Sequence, residues 1–310
     1  MHPDIETILA FYRAARANPP ETFVRSERAL ANPAFFTVAR LQEHLSNPVL
    51  APNFVSLVHK GQGIPLEKSC AYKTIQQRQL WFMDKRVLDE SLRQGASVIL
   101  EGLDMLDPVI NGLCAELDAG LPCALVNCVA FFSQQKNELY RGHIDTDDVL
   151  VVQISGEKLW NLYTPQAPRR VNMSELTPEQ LGPKIAELTL KAGDVMYVRS
   201  GVPHMCETRA SHSLHLAFDL IDRAPNPDEI LRTAQGRYEQ ACAAPYTPAA
   251  DVAKRLAAQL ASPELAAAVT KRQEAIHLEA RAFRDRIGAT RVRALDKFAQ
   301  SQSNEEKQRA

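Results

Sequence analysis

The chain has 310 residues, 45% of them apolar and 24% charged, with a formal net charge of −1. Those are the proportions of an ordinary globular protein with room for one large domain and a smaller one, and so even a charge advertises neither nucleic acid nor an anionic membrane as partner. The start, Met-His-Pro-Asp-Ile-Glu-Thr, lacks a basic region followed by an apolar core, and no apolar run approaches bilayer length, so a cytoplasmic protein is expected.

In chain order, residues 4–17 place Ile5, Ile8, Leu9 and Tyr12 at helical spacing, and Asn18-Pro19-Pro20 stops the helix. A second short helix is expected over 38–46, before Asn47-Pro48. Asn53–His59 alternates as a strand does, with Lys60-Gly-Gln-Gly63 as its turn. Trp81 and Phe82 stand in a polar stretch, either as an aromatic platform or as packing of the N-terminal part on the rest. Ser97–Gly102 reads as a β-branched strand. Asp107-Pro108 then opens a helix that runs through Leu117 and ends at Gly120.

From 123 to 222 nearly every segment reads as strand: 124–132, 147–154, 158–163, 187–190, 195–199 and 213–221. Ser155-Gly156 is expected to turn a hairpin, and Lys191-Ala-Gly193-Asp194 to make a second turn. Many short strands with few helices point to an antiparallel barrel or jelly roll. After Arg223-Ala-Pro-Asn-Pro227 the pattern is helical, with starts at Asp228, Thr247-Pro248 and Ser262-Pro263. Residues 271–310 hold ten Lys/Arg and six Asp/Glu, which suits a solvated helix face or a nucleic-acid patch.

Six cysteines (Cys70, Cys114, Cys123, Cys128, Cys206, Cys242) form no Cys-x-x-Cys pair, so neither zinc-ribbon nor thioredoxin chemistry is suggested and reduced, buried thiols are expected. The chemistry concentrates elsewhere. His143 and Asp145 are two positions apart at the head of an apolar run, so an extended backbone points both to one face. His204 follows the Gly193–Val198 strand and a second glycine turn, and completes two histidines and one carboxylate, the donor set for Fe(II) with open positions. Lys158 is expected on the partner strand of the Ser155-Gly156 hairpin. A buried cation there calls for an anion, and a dicarboxylate reaching from the metal to Lys158 would supply it. Cys206, two after His204, either faces the metal or packs; Ser213 and His215 alternate with Leu214 and Leu216 and are expected to look into the barrel. His44, His59 and His277 belong to no such cluster.

Residues 120–222 resemble the JmjC branch of the cupin superfamily, and most closely its ribosomal-oxygenase and asparagine-hydroxylase-like members. The resemblance rests on His143-Ile-Asp145, the block from Asp148 through Lys158 to Trp160, Gly193–Val198, His204 and His212-Ser-Leu-His215. It implies a mainly β fold, a double-stranded β-helix core with N-terminal α/β decoration and a C-terminal helical region. It also implies Fe(II) on His143, Asp145 and His204, with 2-oxoglutarate as cosubstrate and O₂ as oxidant. Lys158 would bind the distal carboxylate, assisted by Asn127 and Tyr140. The implied activity is hydroxylation of a protein or peptide side chain, with succinate and CO₂ released. The alternatives are the same chemistry on a metabolite, or a metal-binding cupin without oxygenase activity. Expected segments are 1–50 as an N-terminal helical part, 51–223 as the catalytic domain and 224–310 as a helical, dimerising part. The 127–143 loop and Arg199-Ser200 depart from the family pattern.

Overall fold

A computed structural model describes residues 2–31, 33–50, 54–119, 124–134, 137–138, 142–165, 176–222, 227–241 and 248–287. The N-terminal part contains α1 (Pro3–Ala17), β1 (Phe23–Ser26), α2 (Val38–Leu45), β2 (Val55–His59), β3 (Gln62–Gly63) and α3 (Leu66–Ser69). A separate ribbon of β4 (Cys70–Ile75) and β5 (Arg78–Met83) leads into α4 (Lys85–Arg93), β6 (Ser97–Leu100), α5 (Leu103–Leu106) and α6 (Pro108–Ala119). The barrel follows with β7 (Ala124–Gln134), β8 (Asn137–Glu138), β9 (Asp148–Tyr163), α7 (Pro178–Leu181), β10 (Lys184–Lys191), β11 (Val195–Val198), β12 (His204–Thr208) and β13 (His212–Asp222). Helices α8 (Pro227–Ala241), α9 (Ala249–Leu260) and α10 (Pro263–Ile287) end the described chain.

The expected mainly β core with flanking helices is what the structure has, with all strand pairs antiparallel. The larger sheet runs β1-β11-β9-β13-β7-β6-β2-β3; a second sheet is β10-β9-β12-β8. Strand β9 belongs to both. Its first half pairs with β11 and β13, its second half with β10 and β12.

The hairpin expected at Ser155-Gly156 is therefore corrected. The chain does not reverse there; Gly156 sits at φ +67°, and the register against β13 slips between Leu214 and His215, which is a β-bulge. Lys158 consequently lies on the same strand as the segment after Asp145. A glycine that permits positive φ serves a bulge as readily as a turn.

Period-two alternation sorts the side chains into two cores. Val126, Cys128 and Ala130 of β7, Leu150, Val152 and Ile154 of β9, and Leu214, Leu216, Phe218 and Leu220 of β13 face outward. They pack against Ile5, Ile8, Leu9 and Tyr12 of α1 and Ile110, Leu113 and Leu117 of α6. The intervening residues face the barrel, where Val149, Val151, Trp160, Leu162, Leu190, Met196 and Cys206 make the second core. The helical start at Asp107 is well built: its carboxylate accepts from Val109 N and Ile110 N at 2.9 and 3.2 Å.

The ribbon β4–β5 was not expected from so polar a stretch. Its Trp81 packs on Leu57, Cys70, Met83 and Leu88, with its ring 5.3 Å from that of Tyr72, so packing is its role. In the C-terminal part, Ala234, Leu265 and Val269 form a small core of their own, and Arg281 Nη2 donates to Asp118 O at 2.7 Å, tying α10 to α6. Ser262 Oγ accepts from Leu265 N at 3.2 Å as expected of a cap, whereas Thr247 lies outside the described residues. Lys271, Arg272 and Arg286 of α10 are exposed together with Glu274 and Glu279, a mixed solvated face. No described helix is long and apolar enough to cross a membrane.

Candidate metal centre and cosubstrate pocket

His143 and Asp145 precede β9, and His204 opens β12. The structure brings these three expected ligands together: one donor atom from each, all within 4.8 Å of one another. Asp145 Oδ1 lies 3.8 Å from His143 Nε2, and Asp145 Oδ2 lies 3.6 Å from His204 Nε2. Among the described residues this is the single group of three such donors.

The surroundings fix the ligands. His143 and His204 pair as an isolated β-bridge, and Gly201 N donates to Asp145 O at 3.1 Å. His204 Nδ1 faces Val202 O at 3.1 Å, so its proton sits there and the Nε2 lone pair is left for a metal. Trp160 stacks on the His204 ring at 5.2 Å and covers it. Asp148 connects the two ligand-bearing loops, accepting from Tyr197 Oη at 2.6 Å, Ser200 N at 2.7 Å and Arg199 Nε at 3.2 Å. Arg199-Ser200, a departure from the family pattern, thus anchors the loop that leads to His204.

Below the triad the barrel closes in rungs set by the strand register. Next to the ligands, Asn127 pairs with Asp219 and Val129 with Ala217. Deeper, Trp160 pairs with Cys206 and Phe131 with His215. At the bottom is Lys158, with 0% exposure, whose Nζ donates to Thr208 Oγ1 at 2.8 Å and Ser133 Oγ at 3.1 Å. The two hydroxyls are 2.6 Å apart. No carboxylate of the described residues forms an ion pair with Lys158, and burial holds its pKa down at about 8. A cavity of about 820 Å³ opens from the mouth and is lined by the triad, Asn127, Phe131, Trp160, Cys206, His215 and Asp219.

Burial also acts on the wall. It lowers His215 to about 3, with Lys158 adding to the effect, so the imidazole is neutral. Cys206 is pushed up to about 12, which keeps it a thiol. Burial, then the neighbouring Asp145, Asp147, Asp104 and Glu101, raises Asp219 to about 7. Asn127 lines the cavity, while Tyr140 lies outside the described residues. His44 bonds Asp107, and His59 and His277 stand outside the cavity lining. Ser133 and Thr208 were not singled out in the sequence; the available signal was period two, since Thr208 is four after His204 on one strand.

The residues fit a metal with a dicarboxylate: a convergent nitrogen–oxygen donor set at the mouth of the cavity, and one rung beyond its Trp160, Cys206 and His215 wall a buried cation without a counter-ion among the described residues. Residues 109–229 match the JmjC domain family. The chain is 29% identical over 135 residues to a protein of Drosophila willistoni, the bifunctional lysine-specific demethylase and histidyl-hydroxylase NO66, covering 42% of this chain and 18% of that one. It is 32% identical over 96 residues to ribosomal oxygenase 2 of Bos taurus, covering 30% of this chain and 21% of that one. The chain therefore spans about a fifth of the length of these relatives. In three dimensions it is similar to YcfD of Escherichia coli, with TM-score 0.53, 14% identity, and 82% of this chain and 68% of that one covered. A structure of that ribosomal oxygenase in complex with cobalt and 2-oxoglutarate gives TM-score 0.52 at 15% identity, covering 81% and 67%. Over residues 109–229 the chain is thus similar to JmjC domains, that of a ribosomal oxygenase among them.

Proposed function

We propose that this protein is an Fe(II)- and 2-oxoglutarate-dependent oxygenase that hydroxylates a C–H bond of a protein side chain. The observation that carries the reading is Lys158: a fully buried ammonium, without a carboxylate partner among the described residues, one rung beyond the Trp160, Cys206 and His215 wall of the cavity whose mouth holds His143, Asp145 and His204. A cupin that only held a metal would have no use for it, because a buried unpaired cation is costly.

His143, Asp145 and His204 would hold the iron, leaving positions open for ligands. Bound iron and 2-oxoglutarate supply the oxidising power, with O₂ consumed and succinate and CO₂ released. Lys158 charge-pairs with the distal carboxylate, its Ser133 and Thr208 partners aiming the Nζ. Asn127 assists from the rung beside the ligands. Trp160 shields the His204 ring from water.

A protein substrate is supported by the names of the relatives, one a histidyl-hydroxylase and others ribosomal oxygenases. We take the oxidised side chain to enter at the Asn127–Asp219 end. We also infer a cytoplasmic location, supported by the buried free thiols Cys70, Cys114, Cys128 and Cys206. A homodimer is inferred through α8–α10, supported by exposed Leu231, Leu260, Leu278 and Phe283; sedimentation showing only monomer would remove it.

The test of the activity is anaerobic titration of 2-oxoglutarate into the Fe(II) protein. A metal-to-ligand charge-transfer band is expected, then succinate on admission of air. No band and no succinate would sink the oxygenase reading. Incubation with cell extract should leave a protein heavier by one oxygen atom.

A further inference from the structure

Between the metal ligands and Lys158 stands the rung of Trp160, Cys206, Phe131 and His215. Two of its polar atoms have no partner among the described residues. Trp160 Nε1, on a side chain 5% exposed, and His215 Nδ1, on one 4% exposed, are both buried without a hydrogen bond. Both residues line the cavity, and their rings meet edge to face with centroids 6.0 Å apart. His215 is held in orientation by stacking on Phe131 at 5.0 Å.

A buried N–H left unmade costs of the order of 1–3 kcal/mol. The two groups stand at one level of one cavity, beside a set of polar side chains that bond one another: Lys158 donates to Ser133 and Thr208, and the two hydroxyls meet at 2.6 Å. The indole lacks an acceptor, and so does the imidazole in its Nδ1–H tautomer, beside a cation that has no carboxylate partner among the described residues. One carboxylate answers all three. A neutral imidazole serves this purpose through a single N–H, and burial beside Lys158 keeps His215 neutral.

Resting on the oxygenase reading, we propose that Trp160 and His215 complete the acid-binding end of the pocket. The indole Nε1–H and the imidazole Nδ1–H donate to the distal carboxylate of the cosubstrate while Lys158 carries the balancing charge, so the three residues together seat a dicarboxylic 2-oxo acid. Trp160 thereby has two duties on two edges of one ring, covering His204 and holding the acid.

The test uses the full chain loaded with Mn(II), so that no turnover intervenes, and reads affinity for 2-oxoglutarate by calorimetry. His215→Leu and Trp160→Phe are each expected to weaken 2-oxoglutarate about tenfold or more, the effect of one hydrogen bond to a charged group. His215→Asn, which keeps an N–H close to the Nδ1 position, is expected to restore most of it. Mn(II) affinity should stay close to that of the wild type in all three, and the thermal midpoint of the cosubstrate-free protein should not fall in His215→Leu or Trp160→Phe. Wild-type affinity in His215→Leu and Trp160→Phe would overturn the proposal. Equal losses in His215→Leu and His215→Asn, or losses that follow Mn(II) affinity, would overturn it as well, since they mark a packing role. Failure of the wild type itself to bind 2-oxoglutarate would take the oxygenase reading down with it, an outcome distinct from variants that bind as the wild type does.

Discussion

The main chains of His143 and His204 exchange two hydrogen bonds, His143 N to His204 O at 3.0 Å and His204 N to His143 O at 2.9 Å. Two ligands from distant parts of the chain are thus fixed to each other before any metal arrives, and Asp145 is pinned by Gly201 N at 3.1 Å. The third ligand's carboxylate takes no part in that bridge and is 39% exposed. Asp145→Ala is therefore expected to fold with nearly wild-type stability. It should lose metal affinity by more than ~100-fold, beyond the range for losses outside the ligand set, and lose iron-dependent turnover. Metal titration beside thermal unfolding checks this; retained turnover would mean that the triad is misassigned.

Lys158 trades stability for binding. Lys158→Met keeps the length of the side chain and removes a desolvated charge, while Ser133 and Thr208 still have each other. The cosubstrate-free protein should gain roughly 1–3 kcal/mol, because a base displaced from 10.5 to about 8 is opposed by the fold. Its 2-oxoglutarate requirement should rise far more than its iron requirement. Equal changes in both would argue against a salt bridge to the cosubstrate.

The same lysine gives a pH signature. Between about 8 and 10.5 the unfolded chain holds a proton that the folded one has released. The stability of the cosubstrate-free protein contributed by Lys158 therefore rises through that window. Cosubstrate binding, which needs the ammonium, does the reverse: it is level below about 8 and weakens above. Denaturant midpoints and 2-oxoglutarate affinities across that range test both signs; parallel trends would refute the account.

Asp107 governs the acid limb. Burial alone would raise its carboxyl, but bonds from His44 Nε2 at 3.0 Å, Arg40 Nε at 2.7 Å and two backbone N–H groups bring it down to about 2. A depressed carboxyl adds stability above its unfolded value of 3.8 and loses it as pH falls toward 2. Asp107→Asn should destabilise the protein at neutral pH by about 1–3 kcal/mol and flatten the denaturant-midpoint profile between those two values. An unchanged profile would locate acid sensitivity elsewhere.

At Gly156 a Cβ would stand 2.0 Å from His212 O, on a backbone at φ +67°. Gly156→Ala should cost more than the ~1–2 kcal/mol of the left-handed conformation alone. If thermal unfolding shows less, the bulge is more pliable than drawn.

Much of the barrel was legible because β-branched runs with period two occur where β11, β7 and β13 lie, and the metal ligands because His143-Ile-Asp145 sits at a strand edge. The hairpin at Ser155-Gly156 was misread because alternation continues on both sides of a bulge as it does on both sides of a turn. The β4–β5 ribbon went unseen since its turn puts Gln76 and Gln77 at positive φ without a glycine or asparagine to announce it. Ser133 gave no local sign, and Thr208 only its even spacing from His204. Their meaning comes from meeting Lys158 across three strands, a relation that only the folded register creates.

The bulge in β9 has a consequence for how the gene for this protein can change. Before it, odd-numbered residues such as Val149 and Val151 look into the barrel; after it, even-numbered ones, Trp160 and Leu162, do so. One extra residue shifts the reading frame of the strand's two faces. Deleting a single residue from 154–156 would straighten the strand and leave Lys158 and Trp160 facing in, whereas deleting Glu157 with the bulge kept would turn them to the outer surface and bring Leu159 and Asn161 inside. Parity, as much as the identity of the lysine, decides whether the pocket has a floor.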